Sequence, residues 1–291
     1  MTTTFTIGDL RVDRIIESEG PFLGAKALFP GLTDEELARQ RPALEAMGAL
    51  VPGGDILNLT IQSYVVRTPQ HTILVDTCVG NHKTFPRRPA WHQQTASTYM
   101  DALAAVGLAV EDIDIVLCTH LHIDHVGWNT RLLDGRWAPT FPNARYLFGR
   151  VEYEHWEREN AKEPSTIFNE SVLPVVEAGR VTFVASDAAI DDHVRLTPTP
   201  GHSPGHHAVV LGHARDEAMM TGDMMHSPLQ VARPDLSPIF DLDPVLAADT
   251  RRRVLERLCE TRMLCCTAHF PSPSVFRIGR DGETFRCEPA A

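Results

Sequence analysis

Within sixteen residues, IDIVLCTHLHIDHVGW (113–128), four side chains able to bind a metal ion follow an apolar run: His120, His122, Asp124 and His125. Such a run of the buried-strand type, followed at once by polar residues, marks where a chain leaves a sheet, and loops at strand ends carry chemistry. In an extended segment residues i and i+2 point to one side, so His120 and His122 can share one ion. After a bend, Asp124 and His125 can reach a second. Three later residues end short apolar runs in the same way: His202 in TPTPGHSPGH, Asp223 in MMTGDMMH and His269 in CCTAHF. Taken singly, each has a bland reading, because a lone histidine is usually a surface or packed side chain and Thr-Gly-Asp is an ordinary turn. Taken together, they point to one site assembled on strand ends.

The elements that must position these residues are legible in part. Residues 57–66, LNLTIQSYVV, begin with apolar-polar alternation and Thr72–Val75 is a short apolar run ending at Asp76, which predicts a hairpin feeding a sheet. Further strands are expected at 113–118, 145–148, 181–184, 207–211, 263–267 and 274–278. Thr33 with Glu36 three residues on reads as a capping box, Asp243-Pro244 opens a helical pattern running through residue 258, and another helix is expected over roughly 95–106. Strands outnumber helices and the two are interspersed, so the class is α/β. One domain over residues 1–291 is the simplest organisation, with residues 1–56 an N-terminal extension packing on it.

HLHIDH resembles the HxHxDH signature of the metallo-β-lactamase superfamily, and VDTCVG (75–80), PGHSPGH (200–206), TGD (221–223) and AHF (268–270) resemble its other motifs in order. The pattern is most similar to the acyl-homoserine lactonase and organophosphate-hydrolase-like branch. The resemblance implies an αβ/βα four-layer sandwich, two mixed sheets with helices outside. It implies His120, His122 and His202 on one metal, Asp124, His125 and His269 on a second, and Asp223 bridging. Two divalent ions are expected, zinc first because the donors are imidazole and carboxylate, with manganese, iron or cobalt as alternatives. Two such ions lower the pKa of a bridging water toward about 7 and polarise the oxygen under attack, so no serine or cysteine nucleophile is needed.

Three residues carry the expected catalysis: Asp223, Asp124 as an acceptor of the water's proton, and His226, three residues beyond Asp223, where resembling lactonases hold a tyrosine that donates to the substrate. Asp76 resembles an acidic residue that orients ligands from behind. His206 and His207 are assigned to neither metal. Trp128 and Asn129 either line the pocket or pack, and residues 81–92 either cover the site or cross the surface. The leading reaction is opening of a lactone or cleavage of a small carboxylic ester, with an organophosphate triesterase as alternative. A mononuclear iron dioxygenase is the alternative from a different class. A true β-lactamase places cysteine or serine where Asp223 stands, and the diiron relatives replace the histidine at 122 with glutamate.

The bulk numbers narrow the partners. With 38 acidic against 27 basic residues the net charge is −11, which repels nucleic acid in the absence of a basic stripe; the cluster Arg251-Arg252-Arg253 reads as a solvated helix face. No stretch approaches the roughly 20 apolar residues that span a membrane, and MTTTFTIGDL has neither a basic leader nor an apolar core, so a cytoplasmic protein acting on a small molecule is expected. The six cysteines show no paired spacing and are expected as buried thiols. Homodimers are common among the resembling enzymes, and the segment around residues 20–55 is a candidate interface or pocket cap.

Overall fold

The computed structural model describes residues 4–290. In chain order its first elements are β1 (Thr4–Ile7), β2 (Leu10–Gly24), α1 (Ala25–Leu28), α2 (Asp34–Ala46), β3 (Ile56–Arg67), β4 (Thr72–Val75), α3 (Thr98–Ala105) and β5 (Ile115–Cys118). There follow α4 (Ile123–Val126), β6 (Thr130–Leu133), β7 (Arg136–Pro139), β8 (Arg145–Gly149), α5 (Arg150–Lys162), α6 (Leu173–Glu177) and β9 (Val181–Val184). The remainder is β10 (Val194–Pro198), β11 (His207–Leu211), β12 (Ala218–Met220), α7 (Leu229–Ala232), α8 (Pro244–Thr261), β13 (Leu264–Cys266), β14 (Val275–Asp281) and β15 (Thr284–Pro289). These residues form two compact units, one taking the chain up to Ser18 and Ile61–Ala188, the other Glu19–Thr60 and everything from Ala189. Within the segment expected from sequence as an N-terminal extension, residues 4–18 fall in the first unit and residues 19–56 in the second.

In the first unit the expected hairpin forms, with β3 and β4 antiparallel in the register Tyr64↔Val75. From β4 the sheet continues through β5, β8 and β9, all parallel. A parallel strand needs a crossover and is covered on both faces, which explains why IVLC and YLF are uninterrupted apolar runs. The whole sheet has the order β1-β2-β3-β4-β5-β8-β9. Its core joins Leu74, Val116 and Phe148 from the strands to Tyr99 and Leu103 of α3 and Val172 and Val175 at α6.

The second unit holds a six-stranded sheet, β10-β11-β12-β13-β14-β15, antiparallel except for β12 beside β13. That one parallel pair is joined by the 18-residue α8, whose start is fixed as expected: Asp243 accepts from the Leu246 amide at 3.0 Å and Pro244 opens the first turn. The capping box of α2 also forms, with Thr33 Oγ1 accepting from Glu36 N and Glu36 Oε2 accepting from Thr33 N. Val254, Leu255 and Leu258 of α8 pack on Val210, Met219 and Cys265 of the sheet. Both sheets are mixed and helices alternate with them, so the α/β expectation holds.

Two long elements were not legible. β2 carries five charged residues among fifteen, and α5 starts at Gly149 with no side-chain cap. The run Arg251–Arg253 requires a correction: Arg252 and Arg253 are exposed, but Arg251 lies on the buried stripe of α8 and is 1% exposed. All six cysteines are free thiols, four of them buried. No helix among the described residues is long and apolar enough to cross a membrane.

Candidate metal centre

Adjacent parallel strands end at the same sheet edge, so β4 delivers Asp76 and β5 delivers Thr119 side by side. Asp76 adopts φ +60°, a conformation costly for a residue other than glycine, and the surrounding hydrogen bonds account for it. One carboxylate oxygen accepts from Thr119 N at 2.7 Å, the Thr119 hydroxyl donates to the other at 2.9 Å, and that same oxygen faces His125 Nδ1 at 2.9 Å. Because the Thr119 hydroxyl spends its hydrogen on Asp76, its lone pair accepts from His120 Nδ1 at 3.1 Å. One aspartate thus sets the orientation of two imidazoles.

The ligand segment is not extended throughout. His122 is the extended residue before the single turn α4, which contains Asp124 and His125. The His120 ring lies 4.6 Å from that of His122 and 4.1 Å from that of His125, and His125 Nε2 is 3.9 Å from Asp124 Oδ1. Trp156 of α5 stands edge-on to His122 at 5.3 Å, its indole N–H donating to Glu152 at 2.6 Å. The same Glu152 oxygen accepts from Leu121 N, between the two histidines.

A buried carboxylate supports this loop from behind. Glu17 of β2 accepts from Val79 N (2.9 Å), Gly80 N (3.1 Å) and the Trp128 indole (2.7 Å). Burial, opposed by these donors and reinforced by the charge of Asp124, pushes its pKa from 4.5 up to about 7. Between those values the folded chain holds a proton that the unfolded chain releases, so this contribution to stability is full below pH 4.5 and lost as pH rises through 7. We expect metal-free Glu17→Gln, which cannot titrate there, to lose less stability than the parent between pH 5 and 8, by up to about 3 kcal/mol. Parallel denaturant titrations at the two pH values measure it; equal losses would place the proton elsewhere.

In the second unit His202 follows β10 on a loop where Gly201 has φ +130° and an added Cβ would lie 2.3 Å from Ala247 N. His202 Nδ1 is 3.0 Å from Asp241 Oδ1, and His269 Nδ1 is 2.9 Å from the Thr60 carbonyl. A carbonyl or carboxylate oxygen only accepts, so both imidazoles carry a hydrogen on Nδ1, and in the neutral ring that leaves Nε2 as the lone-pair atom. Both Nε2 atoms face one carboxylate: His202 at 3.4 Å from Asp223 Oδ2 and His269 at 2.8 Å from Asp223 Oδ1. Lone pairs opposed at such distances repel unless a cation lies among them, and imidazole with carboxylate is the donor chemistry of zinc and its neighbours. The second unit's residues therefore fit a divalent ion.

His226 Nε2 lies 3.2 Å from Asp223 Oδ2, its ring is stacked on that of His269 at 5.1 Å, and its amide donates to Gln230 at 2.6 Å. The ligand atoms of Asp223, His226 and His269 all fall within 4.8 Å of one another. His206 works through the backbone instead. Its Nε2 accepts from the Asp223 amide at 3.0 Å, and its Nδ1 is 2.7 Å from Thr199 Oγ1, which fixes the turn that aims Asp223.

Residues 58–269 match the metallo-β-lactamase superfamily. The chain belongs to that superfamily. AiiA, an N-acyl homoserine lactonase of Bacillus thuringiensis subsp. kurstaki, is 28% identical over 219 residues, 72% of this chain and 80% of that one. YybB, a probable metallo-hydrolase of Bacillus subtilis, is 26% identical over 155 residues, 51% of this chain and 65% of its own. Among solved structures, AidC, a dizinc quorum-quenching lactonase bound to its product, superposes with a TM-score of 0.80 at 19% identity, covering 100% of this chain and 97% of AidC. The hydrolase AbOPH superposes with a TM-score of 0.81 at 21% identity, covering 99% and 97%. These structures share the metallo-β-lactamase fold of this chain.

In this superfamily member the first unit brings together His120, His122, Asp124 and His125, and the second His202, Asp223, His226 and His269. Trp128 and Asn129 resolve as packing: the indole stacks on Tyr99 at 5.5 Å and Asn129 accepts from Thr77 Oγ1. Residues 81–92 are not a plain surface crossing. Lys83 is buried, donating to Thr130 Oγ1 and the Glu170 carbonyl, and Phe85 stacks on Trp91. Together with His122, Trp156 and Phe168, this loop lines a cleft of about 550 Å3 in the first unit. Sequence reasoning missed Glu17, Glu152, Asp241 and the Thr60 carbonyl, none of which sits in a recognisable local pattern.

Proposed function

We propose that this chain is a dinuclear metal hydrolase that opens a lactone, with an N-acyl homoserine lactone as the leading substrate. In this reading His120, His122, Asp124 and His125 of the first unit and His202, Asp223 and His269 of the second would supply the metal ligands. The observation that carries it is the Asp223 carboxylate facing the Nε2 atoms of two histidines whose Nδ1 hydrogens are committed elsewhere. The names of the relatives, AiiA among them, support the lactone. Zinc is the proposed metal, and the free cysteines fit a reducing, cytoplasmic setting.

When bound, two divalent cations supply hydroxide at neutral pH and polarise the carbonyl under attack. The chain's own residues do the rest. Asp124 accepts the proton released on attack, and His226, whose Nε2 lies 3.2 Å from Asp223 Oδ2, gives its Nε2 hydrogen to the leaving oxygen of the opened ring. The cleft beside His122, walled by Phe85, Trp156, Ile167 and Phe168, offers an apolar surface for an acyl arm.

The test is a substrate panel: acyl-homoserine lactones, simple γ- and δ-lactones, aryl esters, a phosphotriester and a β-lactam, run with metal analysis. About two metals per chain, lactone turnover lost on chelation and regained with zinc are expected. One iron per chain, oxygen uptake and no hydrolysis would sink the proposal.

A further inference from the structure

The one arginine of the Arg251–Arg253 run that turns inward uses almost all of its guanidinium. Nε donates to the Met224 carbonyl at 2.7 Å, Nη1 to the carbonyls of Pro234 (2.7 Å) and Leu236 (3.0 Å), and Nη2 to Asp241 Oδ2 at 3.1 Å. The other oxygen of Asp241 is the one that fixes His202 Nδ1. Met224 is the residue after Asp223, so a single rigid fork spans the peptide behind one proposed metal-binding carboxylate and the anchor of one proposed metal-binding imidazole. Gln230 meets it from the other side, accepting from His226 N and donating to the same Leu236 carbonyl. The residue before it in α8, Thr250, donates to the Pro200 carbonyl, two residues before His202.

We propose that Arg251 is a positioning residue for the ion held by His202 and Asp223. Its Nη2 bond orients Asp241, which fixes the tautomer of His202, and its Nε bond to Met224 sets the pitch of the turn that presents Asp223. A lysine keeps the charge but cannot reach four acceptors in the fork geometry, and a methionine keeps only the volume. The inference rests on the metal assignment proposed above.

The experiment is a zinc titration of metal-free protein by calorimetry, with cobalt(II) absorption as a second readout, on the parent, Arg251→Met, Arg251→Lys and Asp241→Asn. The parent is expected to show two binding events. Arg251→Met and Asp241→Asn should each weaken one of them about 10- to 100-fold and leave the other in place, as loss of a partner behind a ligand does elsewhere. Arg251→Lys should fall between, and the double variant should lose less than the sum of the two singles, because the Asp241–His202 contact is common to both. Should Arg251→Met fail to fold by circular dichroism, Asp241→Asn carries the test, since it leaves the three carbonyl bonds of Arg251 intact. Two events at parental affinity in both variants, or equal weakening of both events, would overturn the inference. A parent that takes up fewer than two ions would overturn the metal assignment itself.

Discussion

Asp223→Ala is expected to lower kcat/KM for a lactone by about 1,000-fold or more, roughly 4 kcal/mol of transition-state stabilisation. The carboxylate lies within 3.4 Å of the Nε2 atoms of three histidines. Removing it leaves the imidazoles of His202 and His269 held by Asp241 and Thr60, and the His226 backbone held by Gln230, but takes away the oxygen donors between them. The loss should appear mainly in kcat, with metal content falling toward one ion per chain. Asp223→Asn separates charge from shape: it keeps one acceptor oxygen and should recover part of the binding but little of the rate. Because the metal-free variants lose a buried charge, their melting temperatures should stay near the parent's. Activity within tenfold of the parent in Asp223→Ala would mean that the chemistry runs elsewhere.

Gly127→Ala is the most disruptive single-methyl change we expect in the first unit. Gly127 has φ −59°, open to any residue, so conformational preference is not the issue. The issue is space: a Cβ there would sit 1.7 Å from the Val79 carbonyl oxygen and 1.9 Å from its carbon, both backbone atoms. Val79 cannot yield easily, because Gly127 N donates to the Cys78 carbonyl and Trp128 N to that of Thr77, while Val79 N is held by Glu17. A loss of about 3 kcal/mol or more is expected, a drop of roughly 10 °C in melting temperature, accompanied by weaker metal uptake because His125 lies two residues before the clash. Gly135→Ala is the control. Nothing lies within 4 Å of its Cβ, but φ is +76°, so only about 1 kcal/mol of backbone strain is expected. Equal melting temperatures for the two variants would contradict the packing argument.

What could be read from the sequence follows the range of the interactions. Caps, the β3–β4 hairpin and the HLHIDH segment are patterns within a few residues, and each formed where expected. The supports are not local. Glu17 bonds to Trp128 across 111 residues and Thr60 to His269 across 209, and Thr60 acts through a carbonyl that every residue possesses. Arg251 escapes a local reading because three consecutive arginines look solvent-facing, and only the buried stripe of α8 through Val254, Leu255 and Leu258 distinguishes the first from the others. Asp241 lies close to the helix cap Asp243 in FDLDP, where nothing in the spelling separates a ligand's anchor from a turn aspartate. Trp128 follows the ligand loop directly, which makes it a candidate pocket residue by sequence, yet Tyr99 and Glu17 claim both its face and its N–H.

His125, His202 and His269 are each fastened through Nδ1 to an oxygen supplied by another part of the chain, and His120 to the hydroxyl of its neighbour Thr119. Rings held in this way lose little torsional freedom when an ion arrives, so uptake is coupled only weakly to folding. The protein should therefore tolerate exchange of one cation for another in the folded state, without denaturation and refolding. Each ion's affinity would then be readable directly as a concentration-dependent rise in melting temperature, set by RT ln(1 + [M]/Kd). A zinc, manganese and cobalt series prepared by simple dialysis would compare three Lewis acids inside one unchanged polypeptide scaffold.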